Sequence, residues 1–117
     1  MPDEQGQRIK RNCELIWGIG DYDLDVETDD WVNYVASVKR DYISYYGPLL
    51  TMTPCCPSPE AAWNELDRML SLWAKQKLRG RPMTQDERLE IFGGPNGKMK
   101  PILRAFAKEL KLVERQQ

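Results

Sequence analysis

A chain of 117 residues, 41% hydrophobic and 30% charged, has the size and composition of one globular domain that buries a core without disulfides or a structural metal. Histidine is absent, which removes Ser-His-Asp and Cys-His nucleophile chemistry, imidazole metal ligands and histidine-based pH switches. Three cysteines, two of them the adjacent Cys55 and Cys56, make no disulfide framework and fit reduced thiols in the cytoplasm or nucleus. The polar start Met1–Gly6 lacks the pattern of a secretory signal, and no window is apolar enough for a membrane span, so no membrane partner is expected. The expectation is a single domain over residues 1–117, frayed at 1–7 and 115–117.

The first expected helix runs from about Glu4 to Trp17, where Ile9, Cys13, Ile16 and Trp17 recur at helical spacing, and Gly18-Ile19-Gly20 stops it. The rival pattern is a hairpin pairing Cys13–Trp17 with Tyr22–Glu27. Asp21 to Asp30 then holds six carboxylates and no base. Its strict alternation from Asp21 to Glu27 is a strand signal, whereas as a loop it delivers negative charge to the start of the next helix. That second helix is expected from the stripe Trp31, Tyr34, Val35, Val38, Tyr42, Tyr45, ended by Gly47-Pro48. Leu49–Thr53 suits at most a short edge strand before Pro54 and Pro57.

Ser58-Pro59-Glu60 opens a third helix with seam residues Trp63, Leu66, Leu70 and Trp73; Lys75, Lys77 and Arg79 fill its last turns and Gly80 ends it. Thr84 with Glu87 is a capping box starting a short fourth helix through Phe92. Pro101 starts a fifth, with Ile102, Leu103, Phe106, Ala107, Leu110 and Val113 on one face and Arg104, Lys108, Lys111 and Arg115 on the other. The fold class expected from these elements is all-α, an irregular bundle of about five helices. Its core is drawn from Trp17, Trp31, Val35, Val38, Trp63, Leu66, Leu70, Trp73, Phe92, Ile102, Phe106 and Leu110. The alternative is α+β, with a small hairpin within residues 13–53.

Charge is divided along the chain. Residues 1–58 carry ten acids and five bases, and residues 59–117 carry eight acids and twelve bases. This marks an acidic surface of Asp21, Asp23, Asp25, Glu27, Asp29 and Asp30, and a basic surface of Lys75, Lys77, Arg79, Arg81, Arg104, Lys108 and Lys111. The bland account is that the acidic stretch folds against the basic helices and neutralises them.

Catalytic and metal motifs fail on inspection. Asp21, Asp23 and Asp25 open like a calcium loop, but Val26 stands where glycine is needed and Val32 where the bidentate glutamate belongs. Asn33, Ser37 and Asp41 share one face of the expected second helix, where polar residues belong anyway. Gly93–Lys98 lacks the Ser or Thr that a phosphate loop requires after its lysine. No catalytic residue, metal site or cofactor is assigned. The functional expectation is a non-enzymatic protein-interaction module, self-associating through its acidic and basic surfaces, with Tyr45 and Tyr46 as candidate interface aromatics. The partner is then another protein or a second copy. The alternative is nucleic-acid binding through Lys75–Arg81 and the basic stripe of the last helix, and a carboxylate- and metal-dependent enzyme ranks below both.

Overall fold

The computed structural model describes residues 3–29 and 31–106. Helix α1 (Asp3–Trp17) leads into strands β1 (Asp21–Thr28), β2 (Tyr34–Asp41) and β3 (Tyr46–Met52), followed by helices α2 (Pro59–Leu78) and α3 (Gln85–Phe92) and a 3-10 turn, Pro95–Gly97. A fourth helix, α4, occupies residues 100–106. The fold is therefore α+β, and the expected all-α bundle is corrected. The segment expected as the second helix is a strand, a turn and the start of another strand. No described helix is long and apolar enough to cross a membrane.

The reason lies in period 2 and in neighbours. Tyr34, Ala36 and Val38 alternate with Val35, Ser37 and Lys39, and β-branched and aromatic side chains suit a pleated surface. The alternating acids of β1 supply the matching strand, so that Asp25 lies opposite Ser37 and Leu24 opposite Val38. The hairpin alternative had placed the sheet in the right stretch of chain but paired Tyr22–Glu27 with Cys13–Trp17, which is helix.

The sheet is an antiparallel meander, β1-β2-β3, with β2 central. β3 carries Pro48, as an edge strand tolerates, and its pairing with β2 is broken by bulges around Lys39. Past β3 the chain keeps pairing with β2. The Thr53 amide donates to the Ala36 carbonyl (2.9 Å), the Thr53 hydroxyl accepts from the Ala36 amide (3.0 Å), and Tyr34 and Cys56 exchange both backbone bonds.

Helices α1 and α2 lie side by side on the inner face of the sheet and run in the same direction. Gln5 donates to Asn64 (2.9 Å), Arg8 to Asp67 (2.9 Å) and Asn12 to Ser71 (3.2 Å). Arg8 holds the Asp67 carboxyl below its ordinary range. Between them and the sheet sit Ile9, Cys13 and Ile16 of α1, Leu66 and Leu70 of α2, and Ala36 and Val38 of β2. Each fully buried aliphatic contributes about 1.5–3 kcal/mol. Burial pushes the Cys13 thiol up to about 12, so it packs as a small hydrophobe.

Arg40, on the inner face of β2, closes the end of α1. Its guanidinium donates to the carbonyl of Trp17 (2.9 Å), one of those the helix end leaves unpaired, and to that of Ile19 (2.7 Å) just beyond the helix, and lies over the Tyr22 ring. α3 is held to α2 by Trp73 edge-on to Phe92 and by Arg68, which donates to the buried Glu65 carboxylate and to the carbonyls of Glu90 and Ile91. Several expected core residues lie elsewhere. Trp31 is 81% exposed in the β1–β2 turn, Ile102 and Phe106 are exposed on α4, Val35 is on the other side of the sheet, and Leu110 lies outside the described residues.

Candidate functional site

The strand periodicity that buries Tyr22, Leu24 and Val26 against the helices turns Asp21, Asp23, Asp25 and Glu27 to the opposite, outer face of the sheet. On β2 the same face presents Val35, Ser37, Lys39 and Asp41. The register adds Met52 beside Ser37, Leu49 beside Lys39 and Tyr46 beside Asp41 from β3. Cys56 points inward and is buried, which leaves its neighbour Cys55 exposed on the outer side. Among the described residues, α2 packs on β1 and β2 from the inner side, and the outer face carries no helix.

This face holds a groove of about 480 Å³. Val35, Leu49 and Met52 form its apolar floor, and Glu27, Thr28, Asp29 and Asn33 line one end. Cys55 stands at the rim and Lys39 at the far side. Ser37, midway along the central strand, is buried between its cross-strand neighbours Asp25 and Met52. Leu49 and Met52 each remain 48% exposed. At one end of the face stand Trp31 and Val32, exposed in the β1–β2 turn; at the other, Tyr42 stacks on Tyr45 with ring centroids 5.0 Å apart. The eight residues of β2 set the length of the face at about 26 Å.

Five of the six expected acidic residues thus form one row: Asp21, Asp23, Asp25 and Glu27 along β1, and Asp29 just beyond. Asp30 lies outside the described residues. None of the five has a cation within ion-pair distance among the described residues; the ion pairs there are Arg8–Asp67, Arg68–Glu65, Arg79–Glu87, Arg81–Glu87 and Lys100–Glu90. Among the described residues, none of the five forms an ion pair with the basic helices. No family model, curated protein or solved structure matches the chain.

The basic residues sit on the helical side. Lys75 and Lys77 are exposed at the end of α2, while Arg79 and Arg81 converge on Glu87, which also caps α3. These contacts hold the Glu87 carboxyl at about 2. Arg104 is exposed on α4, and Lys108 and Lys111 lie outside the described residues. Tyr45 and Tyr46 are exposed, with Tyr46 at the edge of the outer face.

Asn33, Ser37 and Asp41 do share a face, but on a strand successive members are about 13 Å apart, too far to share one ion. The floor residues Val35, Leu49 and Met52 were missed by sequence reasoning. The signal that would have found them is the run of acids alternating along β1, which makes the opposite set of residues the buried one and leaves a face to be floored by β2 and β3.

Proposed function

We propose that this chain is a non-enzymatic protein-interaction module whose docking surface is the outer face of its sheet. The partner it suits is a segment presenting lysine or arginine beside aliphatic side chains. The observation that carries the reading is the row of five carboxylates, none in an ion pair among the described residues, running along β1 to the groove, where Glu27 and Asp29 line the pocket that Val35, Leu49 and Met52 floor. Carboxylates steer a basic partner in and fix its register, while covering half-exposed Leu49 and Met52 adds about 1 kcal/mol each. Exposed tyrosine and tryptophan at both ends are the residue types that supply contact energy at interfaces. Three unpaired thiols suit a reducing compartment, cytoplasm or nucleus.

Nucleic-acid binding has a smaller footing. Two of the four bases in Lys75–Arg81 are turned onto Glu87, and the outer face is acidic and would repel phosphate.

The test is a titration of the isotope-labelled chain with a synthetic amphipathic Lys/Leu helical peptide, followed by amide shifts. The expected result is movement of Val35, Ser37, Leu49 and Met52, lost in Asp23→Lys/Asp25→Lys and absent with a Glu/Leu peptide of equal length. Equal response to both peptides, or shifts confined to the helices, would overturn the reading.

A further inference from the structure

The two edges of the sheet are built differently. β3 carries Pro48 and its pairing with β2 is bulged, so that edge is blunted. β1 has neither proline nor glycine and pairs with β2 at eight successive positions without a bulge. The direction of its free backbone groups follows from β2. Tyr34 and Ala36 turn their backbone groups towards Cys56 and Thr53. Val35, Ser37 and Lys39 therefore bond to β1, at Glu27, Asp25 and Asp23 opposite them. That leaves the amides and carbonyls of Tyr22, Leu24 and Val26 pointing away from the sheet. No other described residue bonds to them. Leu24 and Val26 are also only half-buried, so apolar surface lies open along the same edge.

An unpaired edge of this kind is a template for another strand, including β1 of a second copy. Charge opposes that pairing. β1 against β1 sets acid opposite acid along the outer face, and like charges directly opposite destabilise a strand pair. The same row favours a strand with cations at alternate positions. We propose that the β1 edge receives an extended basic segment of another protein as a fourth, antiparallel strand. Its lysines or arginines lie on the outer face opposite Asp23 and Asp25. Its intervening aliphatic residues face inward opposite Tyr22, Leu24 and Val26, and these exchange the main-chain bonds. Main-chain bonds supply affinity in this mode of recognition, and the alternate side chains supply specificity. The edge is a surface apart from the groove and needs none of Val35, Leu49 and Met52.

The probe is the end-blocked peptide Lys-Val-Lys-Val-Lys-Val-Lys, titrated at low salt into the isotope-labelled full chain. Amide shifts should centre on Tyr22, Leu24 and Val26, and those three amides should become protected from exchange. Antiparallel pairing turns the valine amides of the peptide towards β1 and the lysine amides away from it. N-methylation of the valines should therefore abolish binding, and N-methylation of the lysines should leave it close to that of the parent peptide. Asp23→Asn/Asp25→Asn should weaken binding about fivefold, and a Glu/Val peptide of equal length should not bind.

No binding at low salt overturns the proposal, as does binding that survives methylation of the valines or is lost with methylated lysines. Equal binding of the Glu/Val peptide, or an Asn variant that binds like wild type, overturns it too. Shifts centred on Val35, Leu49 and Met52 also remove the edge, while leaving the groove standing as a docking surface.

Discussion

Arg68→Met should destabilise the domain by about 3 kcal/mol, the low end of what breaking a buried ion pair costs when one partner is removed. The figure follows from what the guanidinium touches. Glu65 keeps only 2% of its side chain exposed and receives both of its charge-assisted bonds from Arg68, at 2.5 and 3.1 Å. Methionine would fill the space of the stem and leave that carboxylate buried without a donor. The carbonyls of Glu90 and Ile91 lose their bonds to Arg68 too. The guanidinium is 31% exposed, so water reaches that side and their loss adds under about 1 kcal/mol. For a domain of this size about 3 kcal/mol lowers the melting temperature by roughly 10 °C. Urea unfolding gives the free energy, and amide exchange in α3 should quicken because Arg68 ties the end of that helix to α2. The companion variant Glu65→Gln/Arg68→Met removes the stranded charge and should recover at least half of the loss. A single variant within about 0.5 kcal/mol of wild type, or a double variant less stable than the single one, would refute the reasoning.

Three further outcomes are expected. Arg40→Met unpairs the carbonyls of Trp17 and Ile19 and removes the cation over Tyr22, and should cost about 2 kcal/mol by urea unfolding, with fraying at the end of α1 visible in amide exchange. Of the three thiols, Cys55 alone should react promptly with a chromogenic disulfide in the folded chain, because burial raises the Cys13 and Cys56 thiols; three fast equivalents would contradict the packing. Glu87 sits at about 2 against an ordinary 4.5, so its contribution is present above about 4.5 and is lost as pH falls towards about 2. Glu87→Gln, which keeps the capping box, should melt below wild type at pH 6, with the gap closing as pH approaches 2; a gap independent of pH would contradict the pairing with Arg79 and Arg81.

Where local chemistry decides, the sequence was readable. Ser58 accepts from the Ala61 amide (3.1 Å) at the start of α2, and Thr84 and Glu87 form the expected reciprocal cap on α3. Ile9, Cys13 and Ile16 are buried along α1 as their spacing implies. The sheet was obscured for two reasons. Trp31, Tyr34, Val35 and Val38 fit a helical stripe as well as a strand, and only the pairing of β2 with β1 separates the two. The turns also carry no glycine or asparagine at their left-handed positions: Trp31 (φ 64°) and Ile43 (φ 73°) occupy them. Side chains stand in for the missing turn residues. Thr28 accepts from the Trp31 amide, and Asp41 accepts from the Ile43 amide. For the site, the acidic row was legible as composition. Its alignment on one face beside Val35, Leu49 and Met52 depends on strand register, which the sequence does not print.

The most direct test of the docking face uses Cys55 as its own reporter. A nitroxide attached to that thiol on unlabelled chain, mixed with an isotope-labelled amphipathic Lys/Leu peptide, reads contacts with the peptide alone. At low salt the peptide's amides should broaden strongly and recover at high salt, while those of a Glu/Leu peptide of equal length stay sharp. Equal broadening of both peptides, or none at any salt, would contradict a face built to receive a basic, apolar segment.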